Sequence, residues 1–164
     1  HGVLAVLGNN DYDDCYREIA ENMKSHGISL LEHRSDTIRR NDAQIIITGI
    51  RNPFDLTKNA VSPTLDLAPE DFVIMLVHTP DYVEAVKITN TDLALAGHTH
   101  GGQVTFFGLY APVTASKYGQ RFRSGLKYNS EKIPVIVSNG IGTSRKNIRL
   151  FAPSDVVFIT LKRK

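Results

Sequence analysis

Three short apolar runs constrain this chain more than any other feature: Val3 to Leu7, Phe72 to Val77 and Leu93 to Ala96. Each is too short for a buried helix and lacks the in-out alternation of a strand with one wet face. They read as buried strands, and Phe72 to Val77 as one covered on both sides, the arrangement of a parallel sheet wrapped by helices. Each run also stops at a turn glycine or a histidine. Val3–Leu7 enters Gly8-Asn9, Phe72–Val77 enters His78, and Leu93–Ala96 enters Gly97-His98-Thr99-His100.

The segments between these runs complete an α/β pattern. Tyr16, Ile19, Ala20 and Met23 recur at i, i+3, i+4 and i+7, which predicts a helix over 14–26, capped by Asp13 or Asp14 and ended by Lys24, His26 and Gly27. Ile28–Glu32 and Ala43–Ile50 are rich in β-branched residues and predict strands separated by a polar turn at Arg39–Asp42. Arg51–Pro69 holds three prolines and predicts a surface excursion with one short helix. A second helix is expected from Asp81 to Val86. Beyond Gly101 the glycines multiply, and short strands are predicted at Gln103–Phe106, Phe122–Tyr128, Val135–Ser138 and Val156–Leu161. With no repeat and no linker, residues 1–164 form one unit.

Composition narrows the function. The chain carries 19 Lys and Arg against 17 Asp and Glu, a net charge of +2, without a block of like charges. Nucleic acid is therefore not an expected partner. The run Phe72–Val77 is far short of the ~20 residues that cross a bilayer. Cys15 is the only cysteine, so no intrachain disulfide and no thiolate cage around a metal can form. The chain opens on His1 and enters an apolar stretch with no leader, so the protein's own start is expected upstream, and a membrane anchor only there.

Open α/β sheets gather their sites beyond the carboxyl ends of the strands, where the turns share one crevice. Asn9, His78, His98 and His100 are predicted to meet there. A single histidine at a strand end most often bonds backbone, but three at matching topological positions point to metal ligation. Imidazole nitrogens with an amide oxygen suit Mn, Fe, Zn or Ni. Arg121, Arg123, Lys127, Arg145, Lys146 and Arg149 could draw in a phosphate, although a solvated surface is the expected role for most of them. Ser138–Ser144 reads equally as a ligand-facing loop and as a plain turn.

Three segments resemble a known family. Gly8-Asn9-Asn10-Asp11, Leu76-Val77-His78-Thr79-Pro80-Asp81 and Gly97-His98-Thr99-His100-Gly101-Gly102-Gln103 are similar to motifs of the calcineurin-like metallophosphoesterases, in particular the bacterial branch that includes the YkuE and YaeI proteins. Tyr118-Gly119, Ser124-Gly125-Leu126, Ser138–Ser144 and Ile148-Arg149 extend the resemblance along nearly the whole chain. The resemblance implies a sandwich of two mixed β-sheets flanked by helices, of which residues 1–164 are the C-terminal portion.

It also implies divalent-metal-dependent hydrolysis of a phosphoester, most of all a phosphodiester, with two ions, Mn, Fe or Zn, that bind the phosphate and activate water. Asn9, His78 and His98 would hold one ion and His100 the other, with Asn10 and Asp11 beside the phosphate. The implied substrate is a phosphorylated small molecule or a lipid head group. Two departures stand out. The family's Asp-x-His and Gly-Asp segments are absent upstream of Gly8, so this chain alone is expected to be inactive. Asn10 stands where the family usually has a histidine; it can donate a hydrogen bond but no proton at neutral pH. The alternative is a relative that binds a phosphorylated ligand or partner without turning it over.

Overall fold

The computed structural model describes residues 2–13, 15–51 and 60–162. Two parallel strands, β1 (Val3–Ala5) and β2 (Ile28–Leu30), pair across the helix α1 (Tyr16–Ser25). A mixed six-stranded sheet follows: β3 (Arg34–Arg40), β4 (Ala43–Gly49), β5 (Val73–Val77), β6 (Leu93–Ala96), β7 (Gly125–Tyr128) and β8 (Pro134–Val137), in the order β3-β4-β5-β6-β8-β7. Its four central strands are parallel, and the edge strands β3 and β7 are antiparallel to their neighbours. This α/β architecture, a large mixed sheet with few helices, agrees with the sandwich that the resemblance implies. Among the described residues no helix is long and apolar enough to cross a membrane.

The core forms in two of the three apolar runs, Phe72–Val77 and Leu93–Ala96. Val3–Leu7, expected to be a buried strand, is only half-buried along β1, with Val3 exposed and Leu7 alone fully buried. Met75, Val77, Ala94, Ala96, Val135 and Val137 bury one face of the central strands against Ile50, Ile88, Phe122 and the one-turn helix α2 (Tyr82–Ala85). Tyr82 and Val83 are the buried side of that helix. The helix α1 lays its stripe of Ile19, Ala20 and Met23 half-buried toward β2. Asp13 Oδ1 accepts a hydrogen bond from Cys15 N just ahead of it, and Gly27, at φ 72°, closes its end. The N-cap position itself is held by Cys15 with no side-chain cap, so Asp13 does not cap the helix as expected. Asp14 lies outside the described residues, as does much of the predicted excursion, 52–59, and the rest of it holds a single 3₁₀ turn, Pro63–Asp66.

The two sheets meet at a point of close approach. Leu31, which follows β2, packs so tightly on the end of β4 that a Cβ placed on Gly49 would lie 2.1 Å from Leu31 Cβ and 2.7 Å from its carbonyl oxygen. Backbone cannot yield as a side-chain tip can, so Gly49→Ala should lower stability by about 1–3 kcal/mol. Chemical denaturation would read this as a lower midpoint at unchanged slope, and an unaltered midpoint would mean that the sheets do not meet here.

Three further expectations are corrected. The predicted turn at Arg39–Asp42 is only the tip of a hairpin, because Arg34–Arg40 forms β3 and turns through Asn41 at φ 54°. A strand of sequence RSDTIRR has no apolar periodicity, and its charge suits an exposed sheet edge. Gln103–Phe106 makes only isolated bridges, Val104 to Leu150 and Phe106 to Tyr110. Val156–Leu161 is β-rich in composition yet pairs with no strand among the described residues, and Phe158 is 93% exposed.

Candidate metal centre

The carboxyl ends of β5 and β6, and the turn after β1, bring three of the predicted side chains together. His78 Nε2 lies 2.9 Å from Asn9 Oδ1 and 3.0 Å from His98 Nδ1. The two imidazoles stand edge to face with centroids 4.8 Å apart. Gly8 backs onto the His78 ring, where a Cβ would lie 2.7 Å from Cε1. The turn itself is closed by Asp11, whose carboxylate accepts from Gly8 N at 2.7 Å. Asn10 is exposed, and its Oδ1 accepts from Asn9 Nδ2 at 3.1 Å, which leaves the Asn9 carbonyl oxygen aimed at His78.

Burial, the leading cause at both, favours the neutral form of the two imidazoles. Burial is the larger cause at His78, reinforced by the charge of His98, and its pKa is pushed down to about 4. At His98 burial again lowers the pKa, opposed by the charge of Asp81. Neutral imidazoles are the form that ligates a metal.

The donor set fits a cation. An imidazole nitrogen has one in-plane direction for a proton or a lone pair, so His78 Nε2 cannot serve both neighbours well by hydrogen bonding. Donor atoms about 3 Å apart are the spacing of adjacent ligands at right angles, each ~2.1 Å from a common ion. Among the described residues no group of three His, Cys, Asp or Glu side chains is placed to hold a metal, so the trio depends on the Asn9 amide.

His100 is placed differently. Its Nδ1 contacts the Gly142 carbonyl at 3.1 Å. It lies in a strained segment: His98, His100 and Gln103 have φ of 69°, 51° and 56°, with Gly101 and Gly102 also positive. Non-glycine residues in the left-handed region persist only where the surroundings over-determine them, and they cluster at functional sites. Thr99, buried in the middle, holds the turn by donating to Arg123 O at 2.7 Å.

Two positioning residues stand inside segments that carry the resemblance, yet no local spacing gave their roles. Asp81, expected only to start a helix, is buried and accepts from Ser116 Oγ at 2.5 Å and Lys117 N at 2.8 Å. It lines, with Thr79, His98, Tyr110, Val113 and Lys117, a cavity of about 620 Å³ beside the histidines. Arg149, grouped with the surface cations, instead spreads its guanidinium over the carbonyls of His100, Asn139, Gly140, Gly142 and Ala152. Arg121 is likewise committed, to Glu84 at 2.8 and 3.0 Å, and Arg123 to Gly108 O at 2.6 Å. Arg145 and Lys146 are exposed, as expected.

No protein-family model matches the chain. Among curated proteins it is 30% identical over 170 residues to a Campylobacter jejuni protein named "uncharacterized metallophosphoesterase Cj0846", covering all of this chain and 43% of that protein. It is 30% identical over 163 residues to the "uncharacterized protein YpbG" of Bacillus subtilis, covering 97% of the chain and 58% of the relative. To the "uncharacterized metallophosphoesterase YkuE" of the same organism it is 29% identical over 165 residues, 98% of the chain and 56% of the relative. The chain thus spans about half the length of the curated relatives it matches.

Proposed function

The chain belongs to the calcineurin-like metallophosphoesterase family, and from that premise we propose that it carries part of the active site of a divalent-metal-dependent phosphodiester hydrolase, acting on a phosphorylated small molecule or a lipid head group. One observation carries the reading: Asn9, His78 and His98, 69 and 20 residues apart in sequence, converge within hydrogen-bonding distance in a neutral, half-buried pocket. These three side chains would hold one ion, and His100 would serve a second, with Mn, Fe or Zn as the candidates. Bound there, a divalent cation would offset phosphoryl charge and lower the pKa of an attacking water.

The remaining steps fall to this chain's own groups. The Asn9 amide and the two imidazoles bring no negative charge, and the Asp11 and Asp81 carboxylates lie close by, so the attraction for a phosphate would come from the bound cation. Asn10, exposed at its rim, can donate its amide N–H to a phosphoryl oxygen but supplies no proton to a leaving group. Asp11, committed to Gly8 N, keeps the turn closed and so keeps Asn9 aimed inward. That division predicts selectivity for substrates whose leaving group departs without a proton.

Asn10 also favours the second reading, a relative that binds a phosphorylated ligand without cleaving it. Hydrolysis of bis(p-nitrophenyl) phosphate separates the two, measured with Mn²⁺ on this chain and on a form extended to the length of its relatives. The expected result is background rate for the short chain and turnover of at least ~10² over background for the long one. An extended form that binds Mn²⁺ and phosphate yet stays at background overturns the hydrolase in favour of the binder.

A further inference from the structure

The segment after the histidine turn is apolar, exposed and yet firmly built. Phe107, Leu109 and Val113 are 78%, 82% and 72% exposed, with Phe106 and Tyr110 also projecting. This is no loose coil. Phe106 N donates to Tyr110 O at 2.7 Å, Gly108 N to Thr105 Oγ1 at 2.9 Å, and Thr105 N to Leu150 O at 2.9 Å. Gln120 holds Ala111 by both its amide atoms, and Arg123 reaches Gly108 O. Phe106 stacks on Tyr110, and Phe107 leans on Phe151. A hairpin pinned by these hydrogen bonds and with its aromatic side chains held outward is preorganised to meet an apolar phase.

Charge indicates which phase. Residues 97–164 carry eleven Lys and Arg against two Asp and Glu, whereas residues 1–96 carry eight against fifteen; of the eleven, Arg121, Arg123 and Arg149 are engaged within the protein. The exposed cations Arg145 and Lys146 are tied to the base of the same hairpin, because Gln103 donates to the carbonyls of Ser144 and Lys146 and accepts from Ser144 N. Aromatic residues beside basic ones are the composition that binds at the head-group level of an anionic membrane. Tyr110 and Val113 line the cavity that reaches His98.

We propose that the hairpin Thr105–Tyr110 docks on an anionic lipid bilayer and sets the His98 cavity against the head groups. The assignment of those head groups as substrate rests on the phosphoesterase reading above; the docking does not.

Co-sedimentation with vesicles tests the docking without any turnover. The probes are vesicles of phosphatidylglycerol and phosphatidylcholine against vesicles of phosphatidylcholine alone, offered both to this chain and to a form extended to the length of its relatives. Both forms should sediment with the anionic vesicles, and less so as salt rises. The double variant Phe107→Asp, Leu109→Asp should bind at least ~10-fold more weakly. Arg145→Gln should cost about fivefold. These side chains are exposed, so an unchanged circular dichroism spectrum certifies the fold. Binding unaffected by the double variant, or seen only in the short chain, overturns the proposal. So does a dimer in sedimentation velocity that the double variant dissolves while vesicles go unbound, since a second copy would then own the surface. Mn²⁺ titration of the same samples reports on the hydrolase reading separately: vesicle binding without metal binding would sink that reading alone.

Discussion

His78→Ala and His98→Ala should each weaken Mn²⁺ or Zn²⁺ binding to this chain by at least about 100-fold, while His100→Ala changes it by less than about threefold. The difference follows from where the three rings point. His78 and His98 face each other and Asn9 with donor atoms 2.9 and 3.0 Å apart, and the loss of either leaves two neutral ligands. His100 is turned to the Gly142 carbonyl and belongs to the proposed second position. Without carboxylates, two adjacent dications would repel each other with nothing to offset the charge, so one ion per chain is expected. Isothermal titration of the wild type and the three variants decides the matter. Equal losses in all three, or two tight sites in the wild type, would show that the trio is not the binding unit.

Arg149→Leu should destabilise the chain by about 2–4 kcal/mol, and Arg149→Lys by most of that amount. Five carbonyls from three segments of the chain converge on one planar guanidinium, at 2.5 to 3.2 Å. A lysine ammonium has three protons on one atom and cannot span them, so several carbonyls lose their donor. Hydrogen exchange should then quicken across residues 139–152 while the amides of β5 and β6 keep their protection. Metal affinity at Asn9, His78 and His98 should hold, because Arg149 touches none of them. Unchanged denaturation midpoints in both variants would remove the clamp from this account.

Local pattern was enough for those elements whose reason is local. The run VIMLV buries as β5, with Phe72 before it left exposed, LALA spans β6, and the stripe Ile19, Ala20, Met23 turns α1 toward β2, because periodicity records which side chains leave water. The ligand positions were legible for a related reason. Neighbouring parallel strands that end in histidine present it in one crevice, so His78 and His98 meet as expected. Asn9 joins them from the turn after β1 in the other sheet, while His100, expected there too, turns to the Gly142 carbonyl.

Pairing and long side chains were settled only in three dimensions. The edge strand Arg34–Arg40 exists because β4 offers it a ladder, not because its own residues seek burial. Val156–Leu161 has strand composition but no ladder beside it among the described residues. The sequence distinguishes an arginine from a leucine, yet not Arg149, which gathers carbonyls 3 to 49 residues away, from Arg145, which stays in water. A hydrophobic residue reports its own preference for the interior through its neighbours at fixed spacing. A hydrogen-bonding one is satisfied by partners brought near by the whole fold, and no local spacing encodes them.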